Sequence, residues 1–476
     1  MTVSGVRGFM RAAVFGFLLL LAACAVGPDY QRPDVAVGQI YKEAQGWKLA
    51  QPGDTELRGD WWKTYSDPVL DGLMDTLLRA NLSITQAEAK YREAQALVGT
   101  ARSAYFPVAG ANGSATRSGS GDLGGRGLFN SGSANVSNQY TLSGSVSWEP
   151  DLWGKIRRSV ESSRAELAAS AADVASVRLS MQSTLAQTYF HLRAIDAQAR
   201  LLGETVTAYE RSLLLTQNRY RAGVSAQADV AVARTQLENT RAQLIALRWQ
   251  RAQFEHAIAV LLGEPPSNLS VGETMKIGAV PDIPVALPSQ LLERRPDVAA
   301  AERRTAEANA NIGVAQAAWF PDLTLSAQGG YSSGQWAQWL TAPARFWSLG
   351  PALALTIFDG GARRSKVEQT RAAYDAQVAT YRLTVLTALR EVEDFLVQLR
   401  VMGQQQAAQA IALASARESL RLTQNQYEAG LIDYLGVVQV QATALNAESA
   451  AIALTADRLV ASVQLIAALG GGWRYK

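Results

Sequence analysis

The chain has 476 residues, of which 48% are hydrophobic and 18% are charged, a composition that excludes an intrinsically disordered protein. The formal net charge is only +3, and lysine and arginine are not clustered as phosphate binding requires, so nucleic acid is excluded as a partner. One cysteine and two histidines, His191 and His256, exclude an internal disulfide framework and most metal-dependent or histidine-dependent catalysis.

The amino terminus has the order of a secretory signal. Arg7 and Arg11 precede an apolar run over residues 12–21, and two small alanines follow that run. The run is shorter than the ~20 apolar residues that a membrane-spanning helix needs. Residues 1–23 are therefore predicted to be a signal peptide.

The residues around the predicted cleavage site indicate a lipid anchor. Residues 21–24 read Leu-Ala-Ala-Cys and resemble the bacterial lipobox, which predicts that Cys24 is lipidated and becomes the mature amino terminus. The alternative is a signal peptide that happens to end beside a cysteine. Ala25 follows where an Asp would favour retention in the inner membrane, so we expect residues 24–68 to form a lipidated tail attached to the outer membrane.

An internal repeat divides the chain. The segment LTQNRYRAG at residues 215–223 recurs as LTQNQYEAG at residues 422–430, a shift of 207 positions. Upstream, AYFP at residues 104–107 matches AWFP at residues 318–321, a shift of 214. The predicted organisation is a first repeat over 69–262, a linker over 263–288 with five of the fifteen prolines, a second repeat over 289–471 and a tail over 472–476.

Each repeat is predicted to run helix, two strands, long helix, short helix. Residues 155–219 contain no proline and carry apolar or small residues at a seven-residue repeat, typical of coiled-coil packing. About 65 helical residues form a rod of roughly 100 Å. The partner helices are predicted over 69–104 and 225–262. Gly223 and Gly430 are predicted to end the long helices, because glycine tolerates the left-handed conformation needed there.

Alternation of side chains predicts the strands. Residues 140–148 and 347–357 alternate apolar residues with hydroxyl or small ones, and shorter or weaker strands are expected after Pro107 and Pro321. Such segments are typical of transmembrane β-strands, although a small soluble sheet is the alternative. After the signal peptide no stretch approaches 18 consecutive apolar residues, so any spanning element is expected to be a strand.

Four strands are too few to close a membrane barrel, and open edges are not tolerated in lipid. Several chains must therefore combine their strands if these segments span the membrane. Two chains would supply eight strands around a filled interior, and three would supply twelve around a real lumen. These considerations favour three or more chains without fixing three.

Short motifs along nearly the whole chain resemble one bacterial family. They are Gly27-Pro28-Asp29-Tyr30 after Cys24, Trp61-Trp62, Asp67-Pro68, Arg294-Arg295-Pro296-Asp297-Val298, Gly313 through Ala318, Phe320-Pro321, and the duplicated Tyr220 to Gly223 and Tyr427 to Gly430. Their order, spacing and duplication resemble the TolC-like outer-membrane factor family, specifically the lipoprotein branch that serves resistance-nodulation-division efflux pumps.

The resemblance implies a mainly α-helical fold with a small β part. Each protomer of a homotrimer would give four strands to a twelve-stranded barrel and its long antiparallel coiled-coil helices to a periplasmic α-barrel, with the linker in an equatorial belt. The implied function is a passive export duct for drugs or toxic solutes. A periplasmic adaptor protein and an inner-membrane transporter are the implied partners, and the adaptor would dock on helical tips that here carry Arg221, Gly223, Glu428 and Gly430.

The resemblance also points to a gate at the second tip. Family members often have Tyr-Leu in this turn with an Asp four positions after the Leu, and both would narrow the pore. Here Leu435 matches the apolar residue, Gln439 stands at the acidic position, and Asp433 lies close by. Three carboxylates ~4 Å apart in water would repel by about 1 kcal/mol per pair. We expect apolar contact at Leu435, rather than carboxylates, to close the pore. For Asp433 the alternative to a role in the gate is that of a solvated turn residue.

No catalytic, metal or cofactor site is predicted. Gly119-x-Gly121-x-x-Gly124 matches a dinucleotide fingerprint in its letters, but no βαβ unit surrounds it, and an exposed loop explains it better. The chain is therefore not expected to be an enzyme. Two other functions remain open: the outer-membrane channel of a type I protein-secretion system, and a structural coiled-coil lipoprotein without a pore.

Overall fold

The computed structural model of the chain describes residues 25–35, 38, 40–43, 60–120, 135–274, 278–281, 283 and 295–471. The predicted signal peptide and Cys24 lie outside the described residues. So do the tail over 472–476, Gly121, Gly124 and part of the linker over 263–288.

The helices follow the predicted repeat. The described residues contain the α-helices α1 (Pro68–Ala80), α2 (Leu82–Ser103), α3 (Lys155–Arg221), α4 (Gln227–Leu261), α5 (Pro296–Ala317), α6 (Ala362–Glu428) and α7 (Tyr434–Ala468). The long helices α3 and α6 each have 67 residues, and the helices that follow them, α4 and α7, each have 35. Both pairs are offset by the shift of 207 positions, so the two-fold internal repeat is confirmed.

The prediction of one helix over residues 69–104 is wrong, because Asn81 interrupts it. Its backbone is extended, with ψ of 123°, and its side-chain oxygen accepts a hydrogen bond from the Ile84 amide at 3.0 Å. The side-chain amide donates to the carbonyl of Leu261 at 2.7 Å. Asn81 therefore caps the start of α2 and ties it to the end of α4.

The strands β1 (Val108–Ser120), β2 (Asn135–Trp148), β3 (Asp322–Ser333) and β4 (Arg345–Ala354) form one antiparallel sheet in chain order. The strand after Pro321 is not the shorter one of its pair, contrary to expectation, since β3 has 12 residues and β4 has 10, whereas β1 after Pro107 has 13 residues against 14 in β2. β4 also ends earlier than predicted, because its last residue pairs with the first residue of β3 and no partner is left for residues 355–357.

The strand register sorts the side chains onto two faces, since directly paired residues share a face. Val146 of β2 pairs with Ala109 of β1 and with Ala327 of β3, and Ala327 pairs with Leu349 of β4. The neighbouring positions continue this apolar face. Its apolar and glycine residues include Ala109, Ala111, Gly113, Ala115, Tyr140, Leu142, Gly144, Val146, Trp148, Leu323, Leu325, Ala327, Gly329, Tyr331, Trp347, Leu349, Pro351 and Leu353. The polar residues Arg117, Asn138, Ser333 and Arg345 lie on the same face at the end near Tyr140.

The opposite face is mainly polar, with Asn112, Ser145 and Gln328 among its residues. On the apolar face, Trp347 is 80% exposed and Leu349 is 78% exposed. A sheet with one solvated polar face is ordinary, but an exposed apolar face of this extent marks a surface that is covered by something other than water.

Aromatic residues lie at both ends of the apolar face. At one end the Tyr140 ring packs on Trp336 and Trp339, with ring centroids 5.3 and 6.1 Å apart. At the other end Trp148 donates to the Tyr105 carbonyl at 3.0 Å. The eight residue steps from Tyr140 to Trp148 correspond to about 26 Å of strand at ~3.3 Å per residue.

The chain forms two compact units. The first consists of the described residues within 25–33, 92–169 and 302–380 and contains the sheet. The second consists of the described residues within 34–91, 170–301 and 381–471 and contains the main hydrophobic core and the turns between the long and short helices.

The core of the second unit is built around a short 3-10 turn, Trp61–Tyr65, whose two tryptophans are fully buried. Hydrogen bonds satisfy polar atoms in this core: the Tyr65 hydroxyl lies 2.7 Å from the Ser462 hydroxyl. The Tyr189 hydroxyl donates to Asp67 at 2.6 Å, while Asp67 also caps the start of α1. The Trp61-Trp62 and Asp67-Pro68 motifs therefore anchor the segment before α1.

Among the described helices, only α7 is long and apolar enough to cross a membrane, with a mean hydropathy of 1.5 over its most apolar segment. In the second unit its residues Leu459, Val463 and Ile466 are buried in the core. Its apolar character is therefore explained by core packing.

Two carboxyl groups meet inside the first unit. Glu307 on α5 is hydrogen-bonded to Glu166 on α3, which requires a shared proton. Burial, followed by the nearby Glu166 carboxylate, raises the pKa of Glu307 from 4.5 to about 7, and Arg304 opposes this shift only in part. The stabilisation from protonated Glu307 is present below pH 4.5 and is lost as pH rises through about 7.

We expect the folded chain to lose stability between pH 5 and pH 8, and Glu307→Gln to reduce this loss by on the order of 1 kcal/mol per chain, since the group is half-exposed and partly screened. Thermal unfolding of the purified protein at several pH values measures this effect. Glu368→Gln, at an exposed position of α6, is the matched control. An unchanged pH dependence in Glu307→Gln would contradict the role of the pair.

Candidate functional site

The candidate site consists of two helical tips in the second unit: the turn from α3 to α4 and the turn from α6 to α7. Gly223 has φ of 73° and Gly430 has φ of 77°, the left-handed conformation predicted for both. The amides of Gly223 and Val224 donate to the carbonyls of Tyr220 and Arg219 at 2.9 Å each. This is a Schellman motif, and equivalent bonds close α6 at Gly430.

The helices that leave the tips are capped in two different ways. At the start of α4, Asp229 accepts a hydrogen bond from the Ala226 amide at 3.2 Å. At the start of α7, Asp433 is the N-cap residue, and its side chain accepts from the Gly436 amide at 3.2 Å. Ala226 and Asp433 occupy equivalent repeat positions, so each tip has one carboxylate in one of the two places that a capping box uses.

A cation from the first tip holds the second. Arg219 donates to the Tyr427 carbonyl at 2.6 Å, and its guanidinium lies 4.5 Å from the centroid of the Tyr427 ring. The Tyr427 hydroxyl lies 3.2 Å from the Thr216 hydroxyl. This combination of hydrogen bond and cation–π contact joins the two turns.

Aromatic packing completes the joint between the tips. The rings of Tyr427 and Tyr434 lie 5.4 Å apart, and both are buried with Ala233 and Val437 in a small separate core. Burial raises the pKa of the Tyr434 hydroxyl to about 12, so it is neutral at physiological pH.

The predicted gate residues lie together at the second tip. Leu435, Asp433 and Gln439 are all exposed in the chain, and Leu435 is 54% exposed. Asp433 has a structural task as N-cap, whereas Leu435 packs in neither of the hydrophobic cores described. The Asp433 carboxylate is thus held by a hydrogen bond within the chain, whereas the Leu435 side chain belongs to neither core.

The residues predicted for adaptor docking, Arg221, Gly223, Glu428 and Gly430, are exposed on the two turns. Sequence reasoning missed Arg219. Its signal was a difference between the repeats, since position 426 holds Gln in the second repeat where the first has Arg219. Among the described residues, no three His, Cys, Asp or Glu side chains are grouped as a metal ion would require.

The fold and the duplicated tips agree with a comparison to known families. The model of the outer membrane efflux protein family matches residues 73–264 and 287–471, most of the chain in two segments. The chain belongs to the outer membrane efflux protein family.

Individual members of this family match the chain over almost its whole length. The toluene efflux pump outer membrane protein TtgF of Pseudomonas putida is 31% identical over 467 residues, covering 95% of each chain. The outer membrane protein OprJ of Pseudomonas aeruginosa is 30% identical over 474 residues, covering 98% of this chain and 97% of OprJ. The structure of the outer-membrane channel OprN is 31% identical with a TM-score of 0.86, covering 94% of this chain and 100% of OprN.

These similarities confirm the predicted family, the mainly helical fold with four strands, and the outer-membrane location of an efflux protein. Lipidation of Cys24 and the roles of individual tip residues stay predictions.

Replacing glycine by alanine is expected to have opposite effects on stability at the end of α6 and in its interior. Gly430→Ala is expected to destabilise the folded chain by about 1 kcal/mol, because an added Cβ disfavours its positive φ. That Cβ would also lie 3.4 Å from Arg219. Gly403→Ala, in the interior of α6, is expected to stabilise by about 0.5–1 kcal/mol, because the added Cβ would meet only the end of the Arg458 side chain, at 4.0 Å. Thermal unfolding followed by circular dichroism checks both, and two changes of the same sign would contradict the assignment.

Proposed function

We propose that the chain is the outer-membrane channel lipoprotein of a tripartite efflux pump of the resistance-nodulation-division type, a passive duct for drugs or toxic solutes. The observation that carries this proposal is the sheet: one face is apolar across all four strands and exposed, the other face is polar, and aromatic residues lie at both ends. Lipid suits the apolar face and water suits the polar one.

The edges of the sheet support a trimer. Within the described part of the chain, β1 and β4 each pair on one side only. Their free backbone groups need partners in lipid, and neighbouring copies supply them if β4 of one protomer pairs with β1 of the next. Three copies give twelve strands, which enclose a water-filled lumen lined by the polar faces.

The oligomer has a direct test. Chemical cross-linking of the purified protein, followed by denaturing electrophoresis, is expected to give a ladder that ends at three times the mass of one chain. Heating should return the uncross-linked protein to one chain. A cross-linked ladder that ends at two chains, or a monomer that inserts into lipid alone, would contradict the trimer.

The partners follow from what the chain lacks in its sequence. It has no P-loop or other energy-coupling motif, so an inner-membrane transporter supplies the energy and a periplasmic adaptor joins the two proteins. The adaptor docks on the tips at Arg221, Gly223, Glu428 and Gly430. Acyl chains on Cys24 anchor the mature chain in outer-membrane lipid.

The tip closes the duct through apolar contact. Leu435 residues from three protomers meet around the axis, while Asp433 is retained as the cap of α7 and Gln439 adds a polar, uncharged ring. Arg219 stabilises this closed turn from within each protomer through its bonds to Tyr427. Docking of the adaptor opens the tips by separating these contacts.

Conductance of the reconstituted channel tests the gate. Leu435→Ser is expected to raise the single-channel current several-fold, because it removes the apolar contact but leaves the Asp433 cap in place. Ala228→Ser, at the repeat-equivalent exposed position of the first tip, should leave the current unchanged. Wild-type current in Leu435→Ser would overturn the apolar gate.

A further inference from the structure

The first described residues of the chain are docked against two helices of the first unit. The Val26 amide donates to the Trp153 carbonyl at 3.1 Å, just before α3. Further along, the Pro28 carbonyl accepts from Asn309 of α5 at 2.9 Å. The Tyr30 hydroxyl donates to Glu302 at 2.8 Å. Residues 25–30, which we call the anchor segment, thus contact both repeats.

Arg158 holds the anchor segment most firmly. Its side chain is only 6% exposed, and it donates to the carbonyls of Val26 and Gly27 at 3.3 and 3.1 Å and to the Asp29 carboxylate at 2.8 Å. Glu161 on the same helix accepts a fourth bond at 2.8 Å. Three of these four contacts go to the anchor segment. A buried guanidinium needs such partners, so Arg158 and the segment depend on each other.

Glycines make room for the anchor segment. Gly27 has φ of +108°, and a Cβ built there would lie 2.5 Å from the Cα of Gly313 on α5. A Cβ on Gly154 would lie 2.9 Å from the Cα of Ala25. These distances are below those that real side chains show, so only glycine fits at both contacts. The Gly-Pro-Asp-Tyr motif is therefore shaped to a specific groove.

We propose that Arg158 is a positioning residue that holds the anchor segment as a rigid strut and so fixes where the lipid anchor enters the membrane. This inference rests on the proposed function, in which Cys24 carries acyl chains. Cys24 lies two residues before Val26, a reach of at most about 7 Å. If residues 25–30 were a flexible linker, the acyl chains could enter the membrane at many positions. A rigid anchor segment restricts them to one.

That site lies at the end of the sheet where the strands meet the helices. Trp153, which accepts from the anchor segment, stacks on Phe320 with ring centroids 4.9 Å apart, and its indole donates to the Pro321 carbonyl at 2.8 Å. Phe320 lies two residues before the start of β3 and is partly exposed. The acyl chains would therefore enter the bilayer beside this aromatic pair, at the depth set by the adjacent end of the sheet.

Spin labelling of the full-length lipidated channel in vesicles tests the strut. Acylation occupies the thiol of the only cysteine, so Gln31→Cys supplies the single free thiol for a nitroxide at an exposed position next to the anchor segment. The wild-type background is expected to give an immobilised spectrum. Adding Arg158→Ala should shift the docked-to-free ratio about 10-fold or more toward a mobile spectrum, since charge-assisted hydrogen bonds are lost.

Arg164→Ala is the matched control, because it removes an exposed arginine from the same helix, and its spectrum should stay immobilised. Gly27→Ala is a second variant that keeps Arg158 but closes the groove, and it should also mobilise the label. A mobile label in the wild-type background overturns the strut. So does an Arg158→Ala variant that has a lower melting temperature but an immobilised label, which is the result of a merely structural role.

Mass spectrometry of the amino-terminal peptide separates this inference from the proposed function. An acylated Cys24 with a mobile label overturns the strut and leaves the channel lipoprotein intact. An unmodified Cys24 overturns the lipid anchor and, with it, the positioning role of Arg158. An acylated Cys24 with a label that only Arg158→Ala and Gly27→Ala release supports the inference.

Discussion

Hydrocarbon offers no hydrogen bonds, and this constraint governs the architecture of the chain. The sheet presents an apolar face, yet in the described chain β1 and β4 pair on one side only. In lipid each unsatisfied backbone group costs several kcal/mol, and in water the exposed apolar face and open edges would invite aggregation. Neither solvent suits one isolated protomer. The sheet therefore requires other copies of itself, and this requirement connects the single-chain fold to a channel with a continuous lumen.

The two repeats share the lengths of their helices but differ in the residues at their tips. The equal lengths of α3 and α6, and of α4 and α7, mean that two helical hairpins can share one packing scheme. The repeats differ where the tips meet. Arg219 of the first repeat donates a hydrogen bond to Tyr427 of the second. The equivalent of Arg219 in the second repeat is Gln426, which is uncharged. The joint between the two tips is therefore made by one arginine, from the first repeat alone.

Local rules of conformation and periodicity gave reliable predictions, while features that depend on distant partners did not. Gly223 and Gly430 were predictable because the need for a positive φ at a helix end is local. The break at Asn81 was missed, since the apolar pattern continues across it and one of its bonds goes to a residue 180 positions away. The end of β4 at Ala354 is set by where β3 begins, which is a matter of register. Arg219 acquires its role only when two turns far apart in sequence are brought together.

The division of labour between Asp433 and Leu435 supports apolar closure of the tip. The Asp433 carboxylate accepts from the Gly436 amide, and an N-cap of this kind contributes about 1 kcal/mol to its helix. Turning that carboxylate toward the axis would lose the cap and bring three like charges together, at about 1 kcal/mol per pair in water. Both terms oppose an acidic constriction at this position. Leu435 has no such task in the described structure, and in the proposed gate three copies would bury its apolar surface only when the tip is closed.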